Sequence, residues 1–310
     1  QLAQIAADNG FGVIPGLDNT KIDAKRSATG DSSDNDMDSV ALKFDYLLGD
    51  FTVTAITGYL SYDYDETCDC DFTGAELYSV RSQEEYEQWS PELRIVSPVG
   101  EVFEYIAGVY WQTSDLDFKD SFTTGTDSML PFAVPPIASS AVDTLSANRN
   151  FEQDSDLYSV FAQGTFHLAD TLRLTVGARY SYEEKDGSRD LIFVDSETGV
   201  PSGPADQAVI RAVFVGENHS LSDSRDEDKV APLAILEWDA SDEIMAYVSA
   251  TQGFKSGGYD ARSNLSTTPS TDVFGQTAVG TFEFDDEQAT SYEIGSKMTF
   301  MDGRAELNTA

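Results

Sequence analysis

The stretch Leu157–Glu183, LYSVFAQGTFHLADTLRLTVGARYSYE, decides the fold. Its first half places Tyr158, Val160, Ala162, Gly164, Phe166 and Leu168 on one face of an extended chain. Ser159, Gln163, Thr165 and His167 fall on the other, interrupted by Phe161. Ala169-Asp170 reads as a tight turn, and the chain returns with Leu172, Leu174, Val176, Ala178, Tyr180 and Tyr182 on one face. Thr171, Arg173, Thr175, Arg179, Ser181 and Glu183 take the opposite face. Alternation sustained over about a dozen residues exceeds the ~5–6 of an ordinary globular strand. It suits a tilted strand crossing a bilayer, which needs ~9–11 residues. Arg173 and Arg179 then point inward, away from lipid, where a midplane charge costs about 2–4 kcal/mol.

The same grammar recurs on both sides of this hairpin. Val40, Leu42, Phe44, Tyr46 and Leu48 alternate up to Gly49-Asp50, and Phe51–Tyr62 returns. Glu84–Ser97 runs to Pro98-Val99-Gly100 and returns through Phe103, Tyr105, Ala107, Val109 and Trp111. Lys229–Trp238 turns at Asp239-Ala240-Ser241-Asp242 into Glu243–Gly253, and Glu287–Phe300 reaches Met301-Asp302-Gly303. These five hairpins predict about ten strands. Between them lie polar segments near 65–83, 119–150, 187–227 and 258–281. Short turns at one end and long loops at the other are the asymmetry of an outer-membrane β-barrel. Within 187–227, Leu191–Val194 and Ala208–Val215 are expected to form a projecting hairpin. Soluble sandwiches also alternate where one face is buried. Strand length favours the barrel, as do Tyr62, Trp111, Tyr180, Tyr182 and Trp238 near strand ends, where interfacial girdles fall; Trp89, mid-strand, does not discriminate.

The chain has 310 residues, with 19 Lys+Arg against 55 Asp+Glu and a net charge of −36. That balance excludes nucleic-acid binding by phosphate neutralisation and adhesion to anionic lipid through a basic face. Forty per cent hydrophobic and 11% aromatic content is too much for a disordered acidic chain. Cys68 and Cys70 stand one residue apart, too awkwardly in extended chain for an unstrained bridge, so no disulfide is expected. The start at Gln1 shows no signal-peptide pattern, and Ala310 falls inside an expected strand; both ends read as cut.

Several separated words resemble TonB-dependent outer-membrane receptors. They are Ala55-Ile56-Thr57-Gly58-Tyr59, Pro91-Glu92-Leu93-Arg94-Ile95 with Tyr105-Ile106-Ala107-Gly108-Val109-Tyr110, and Tyr158–Gln163 with Leu174–Tyr180. Ala246-Tyr247-Val248-Ser249-Ala250 leading into Gly253-Phe254-Lys255-Ser256-Gly257-Gly258-Tyr259 is the most specific piece, and Glu287 with Tyr292–Lys297 follows in family order. The resemblance implies an all-β, antiparallel transmembrane barrel, present here in part: about ten strands of about 22. It divides the chain into a lead-in, 1–38, and barrel, 39–310. It also implies an N-terminal plug and TonB box upstream, and about a dozen strands downstream. The function implied is uptake of a scarce nutrient (ferric siderophore, cobalamin or glycan) across a Gram-negative outer membrane. The partners would be the TonB system, membrane lipid and a small ligand such as a ferric chelate, with no nucleic acid. A passive porin-like channel and a soluble acidic carbohydrate-binding protein are the alternatives.

No catalytic residue, cofactor or resident metal is expected. His167 and His219, the only histidines, lack a nucleophile setting. The glycine-rich Gly253–Gly258 lacks the spacing of a phosphate loop and reads as a strand end bending into an outer loop. The carboxylates Asp63, Asp65, Glu66, Asp69 and Asp71 around the cysteines match no calcium loop, and the family resemblance gives Asp69 and Asp71 a loop-structural role. Substrate-binding candidates are Lys255, Tyr259 and Arg262, at the foot of loop 258–281. The acidic loops predict a negative mouth that disfavours bare anions.

Overall fold

The computed structural model describes residues 2–10, 30–72, 74–100, 102–125, 128–130, 144–214, 216–271, 275 and 277–310. Most of the expected lead-in and the middle of the 119–150 loop lie outside the described residues. Ten strands form one antiparallel sheet in which each pairs with its neighbour in sequence. They are β1 (Ser32–Leu48), β2 (Phe51–Cys68), β3 (Ser79–Val96), β4 (Phe103–Thr123), β5 (Leu145–Ala169), β6 (Leu172–Asp195), β7 (His219–Ser241), β8 (Ile244–Lys255), β9 (Glu287–Phe300) and β10 (Ala305–Thr309). All five expected hairpins are present. No helix among the described residues is long and apolar enough to cross a membrane.

Alternation sets the two faces. Val109, Trp111, Tyr158, Val160, Val176, Tyr180, Val230 and Leu236 are exposed along one face, while Thr175, Ser159 and Ser181 on the other are buried. The apolar face is bounded by two rows of aromatic rings. Phe51, Phe103, Tyr105 and Phe166 touch near the short turns. Tyr59 against Trp89 and Trp111 against Tyr158 form the other row. Phe166 and Tyr158 are separated by eight steps of β5, about 26 Å of strand or roughly 20 Å of height at a ~40° tilt, a little less than the ~25 Å apolar band. Trp89 thus belongs to the upper girdle. Tyr62 does not: its parity puts it on the lumen face, where its ring stacks on Tyr86 at 5.2 Å and its hydroxyl donates to Glu84.

The turns lie close to their expected places. Gly49, at φ +64°, takes a left-handed position open to glycine and closes the β1–β2 turn with Asp50. The β5–β6 turn is Asp170-Thr171 rather than Ala169-Asp170, because a register shift between His167 and Ala169 absorbs one residue. A second shift between Asp239 and Ser241 moves the β7–β8 turn to Asp242-Glu243 in the same way.

Strands β4–β7 run 21–25 residues, well beyond the membrane band, and consume much of what read as loop. Leu191–Val194 therefore stays in β6 and pairs with β5. The expected projecting hairpin is instead a helix, α1 (Pro204–Phe214). Proline at its first position and Asp206 in its first turn are strong helix-start chemistry that outweighs the short apolar run. The seven-residue helix Leu2–Asp8 precedes the sheet.

The cysteines correct a further expectation: Cys68 and Cys70 form a disulfide. The chain leaves β2 at Cys68 and turns at once, which brings the two Cα atoms to 5.1 Å, inside the usual range. The extended geometry that would have held them apart does not exist there.

Candidate ligand-binding mouth

Packed cores occur only at the loop end of the sheet among the described residues. Ile210 of α1 packs on Leu145, Ala147, Leu191 and Phe193. Phe118 and Phe151, on the lumen face of β4 and β5, pack with Tyr259 and Phe282 from the connection between β8 and β9. Ala6, Ala75 and Met129 form a third cluster. The lumen side at membrane level is polar and the outside faces lipid, so buried apolar clusters can form only above the girdle.

The β8–β9 connection folds back over the lumen wall. Gly258-Tyr259 pairs with Glu283-Phe284 in a two-residue ladder, and Ser270-Thr271 pairs with Thr277-Ala278 nearer the tip. Four cationic side chains of the wall hold this segment. Arg189 donates to the carbonyl oxygens of Asp260 and Leu265. Lys185 donates to Ser256 Oγ at 2.7 Å and Gly257 O at 2.9 Å. Arg225 donates to Phe284 O at 2.6 Å, and Arg149 donates to Asn264 Oδ1. Arg149 also pairs with Asp120, Lys185 with Glu183, and Arg225 with Glu227 and Glu283. Gly187 makes room for the segment, since a Cβ there would come within 2.3 Å of the Tyr259 ring.

Charge is sorted by face. Above the aromatic row, the outward positions of β5–β7 carry Glu152, Asp154, Asp156, Glu184, Asp186, Asp190, Asp226 and Asp228, with no Lys or Arg among them. The register sets Asp154 between Asp115 and Asp186. Burial and a hydrogen bond to Asp115 push its carboxyl up. The lumen positions of the same strands carry Arg149, Lys185, Arg189, Arg225 and Lys229 against Glu183, Asp195, Asp223 and Glu227. The negative mouth expected from composition is therefore negative on its outer wall. Its lumen wall is rich in cations.

Of the three candidate residues, Lys255 ends β8 and is exposed. Tyr259 is buried, stacked on Phe282 at 4.8 Å, with its hydroxyl donating to Lys185 O; burial pushes it up to about 12. Arg262 is exposed above the Phe118 ring at 4.7 Å. The fold thus brings Tyr259 and Arg262 to the Phe118–Phe151 cluster, with Tyr259 anchoring the segment. Sequence reasoning missed Arg149, Lys185, Arg189 and Arg225. Their lumen parity was readable, but the segment that they hold lies up to 115 residues away. Arg173 and Arg179 lie on the lumen face as expected. Arg173 pairs with Glu237 and Asp239, and Arg179 donates to Ser159 Oγ and lies 4.9 Å from the Tyr110 ring.

Near the disulfide, Asp71 accepts from the Leu77 amide and Asp69 N donates to Asp31. Among the described residues no group of three or more His, Cys, Asp or Glu side chains is placed to hold a metal.

A lipid-facing band between two aromatic rows, a polar lumen wall and a structured segment folded over one end are barrel-receptor features. The family model for the TonB dependent receptor-like β-barrel matches residues 3–310. The chain belongs to that family. Solved structures agree on the fold. The ferric yersiniabactin uptake receptor of Yersinia pestis matches with a TM-score of 0.60 at 16% identity, over 86% of this chain and 34% of that one. The siderophore receptor PiuA of Acinetobacter baumannii matches at 0.56 and 14%, over 90% and 39%. The open form of the ferric-catecholate import receptor of E. coli K12 matches at 0.53 and 12%, over 94% and 42%. This TonB-dependent receptor barrel segment thus spans about a third to two-fifths of the structures it resembles.

Proposed function

We propose that the chain is part of an outer-membrane receptor of a Gram-negative bacterium that takes up a scarce nutrient, of the ferric-chelate class, with energy from the TonB system. The supporting observation is the lumen wall of β4–β7. It rises past the girdle into a rim covered by the segment 256–286, which Arg149, Lys185, Arg189 and Arg225 hold in place. A covered, side-chain-rich rim suits capture of a particular ligand better than free diffusion through an open pore. The three similar receptors above are named for ferric or siderophore uptake. Lys255 and Arg262, exposed at the rim, are proposed ligand contacts. β1 already starts at Ser32, seven residues before the expected boundary, and the stretch before it is proposed to connect this barrel to the rest of the receptor.

In this reading the strands do no bond chemistry. Lipid constrains one side of each strand and the polar lumen the other, so specificity falls to the rim. The test is uptake of radiolabelled ferric chelates by iron-starved cells with and without the gene. Uptake that vanishes on deletion and on collapse of the proton gradient supports energised transport. Uptake that survives gradient collapse would establish a passive channel instead.

A further inference from the structure

We propose that the Cys68–Cys70 disulfide is a thiol-exchange site, opened by small neutral or cationic thiols, and that opening it loosens the β2–β3 connection from the rim cluster of Ala6, Ala75 and Met129. The inference goes beyond the uptake reading and holds whichever ligand is taken up.

The bridge does little as a staple. One residue separates the two cysteines, and the entropy that a cross-link removes from the unfolded chain grows with the length of loop it closes. Nor does it join two elements, since Cys68 is already tied to β3 through its ladder partner Val80. Its effect is on the path of the chain as β2 ends. Both cysteines are only half-buried, and Cys68 lies nine residues along β2 from Tyr59 of the upper girdle, on the side of the long connections. Dissolved thiols reach such a bridge, and accessible disulfides are the labile ones.

The exchange runs in two steps. A thiolate attacks one sulfur, forming a mixed disulfide and expelling the other cysteine as thiolate. A second thiolate attacks the mixed disulfide, releasing the small disulfide and the second cysteine. Two small thiols are oxidised to one disulfide, the bridge takes up their two electrons, and their two protons pass to the cysteines, whose ordinary pKa of about 8.5 keeps them protonated at neutral pH. Small disulfides reset the bridge by the reverse steps.

Charge selects the thiol. Asp63, Asp65, Glu66, Asp69 and Asp71 flank the bridge, and the Asp31 carboxylate accepts from the Asp69 amide beside it. Arg81 pairs with Asp65, leaving the surroundings net negative. Burial and the charges of Asp71 and Asp69 push the nearby Tyr78 hydroxyl above its ordinary value. Such a field repels anionic thiols and tolerates neutral or cationic ones.

The bridged turn is wired to the rim. Cys70 O accepts from the Tyr78 hydroxyl at 3.1 Å, and the Tyr78 ring lies 4.6 Å from Phe122. Asp71 accepts from the Leu77 amide at 3.2 Å. Leu77 packs on the Ala6–Ala75–Met129 cluster and its carbonyl accepts from Ser128, while Glu76 O accepts from the Met129 amide at 2.8 Å. Releasing the turn at 68–70 frees the backbone that aims these groups.

The test treats the full receptor in detergent with excess cysteamine, whose thiolate is net neutral, or 2-mercaptoethanesulfonate, whose thiolate is a dianion. Free thiols are trapped by alkylation, and the peptide carrying Cys68 and Cys70 is read by mass. At matched thiolate concentration, the preference for cysteamine is expected to be about fivefold larger at ~10 mM salt than at ~0.5 M. Amide exchange in 74–78 and 128–130 is expected to quicken about tenfold after reduction and trapping, with 84–97 in β3 unchanged. The double variant Cys68→Ser with Cys70→Ser, which carries no adduct, is expected to show the faster exchange without thiol. A bridge that stays closed under excess cysteamine overturns the proposal. So does a thiol preference indifferent to salt, or exchange in 74–78 that neither reduction nor the double variant alters.

Discussion

The membrane-level wall and the rim above it share the same strands yet are held by different contacts. In the wall, lumen side chains bond to partners facing them on the neighbouring strand: Ser159 with Ser181, and Thr165 with Thr175. In the rim, contacts reach across the fold, as Arg189 to Asp260 and Leu265, and Arg149 to Asn264. The wall needs only alternation and register, because solvent on one side and lipid on the other fix which face each residue takes. The rim stands in water on both sides, so it must build its own small cores. The same β6 supplies Val176 to lipid and Phe193 to a packed cluster.

The largest effect expected to separate the two regions is that of Phe151→Ala. Removing a buried aromatic from the Tyr259 cluster costs about 3–5 kcal/mol. Limited proteolysis should then cut within 256–286 more than tenfold faster, while the sheet keeps its heat-modifiable migration on gels. Collapse of both together would mean that rim and wall are one unit. Next comes Ala178→Arg, which places a cation on the lipid face of β6 at a cost of about 2–4 kcal/mol and should sharply lower the yield of assembled barrel. Arg179→Ala, one residue on, removes a hydrogen bond to Ser159 and contacts with Tyr110 and Phe161. Its cost is about 1–2 kcal/mol, and assembly should survive. Equal tolerance at 178 and 179 would break the assignment of faces.

The smallest expected effect is on pH. Burial lowers the His219 pKa below its ordinary 6.5, against a weaker pull from the Glu217 carbonyl. The open rim binds a proton that the closed rim refuses, so rim stability falls as pH drops below about 6.5 and levels off below the folded value. Hydrogen bonds from Thr144 and Thr198 hold Asp195 down at about 2, giving a second loss as pH falls from about 4 to about 2. Amide exchange should show both losses in residues 195–219 with the lower wall unchanged. Loss of wall protection in step with the rim would erase the distinction between them.

Legibility followed the same division. The turn at Gly49-Asp50 and the lumen parity of Arg173 and Arg179 could be read locally, because period two is a property of neighbours. Tyr62 was misplaced because an aromatic near a strand end looks like a girdle residue until its parity is fixed against Tyr86 across the ladder. The Cys68–Cys70 bridge was missed because its judgement assumed extended chain at the point where β2 ends. Helix α1 lay in a short apolar run that could also be strand, and Pro204 and Asp206 were its readable signal. Lys255, Tyr259 and Arg262 were found from a glycine-rich strand exit, but nothing local shows that Tyr259 inserts against Phe118 and Phe151.

By itself, then, the sequence determined an antiparallel wall of long strands, its hairpins, its lipid face and the strongly acidic charge. Each of these follows from residue type and alternation. Tertiary structure alone decided how the charge divides, with acids outside and arginines within, and which residues meet at the rim. That division depends on ladder register and on contacts between residues 70 or more positions apart, and the energy of such contacts is set by distance in space rather than by order along the chain.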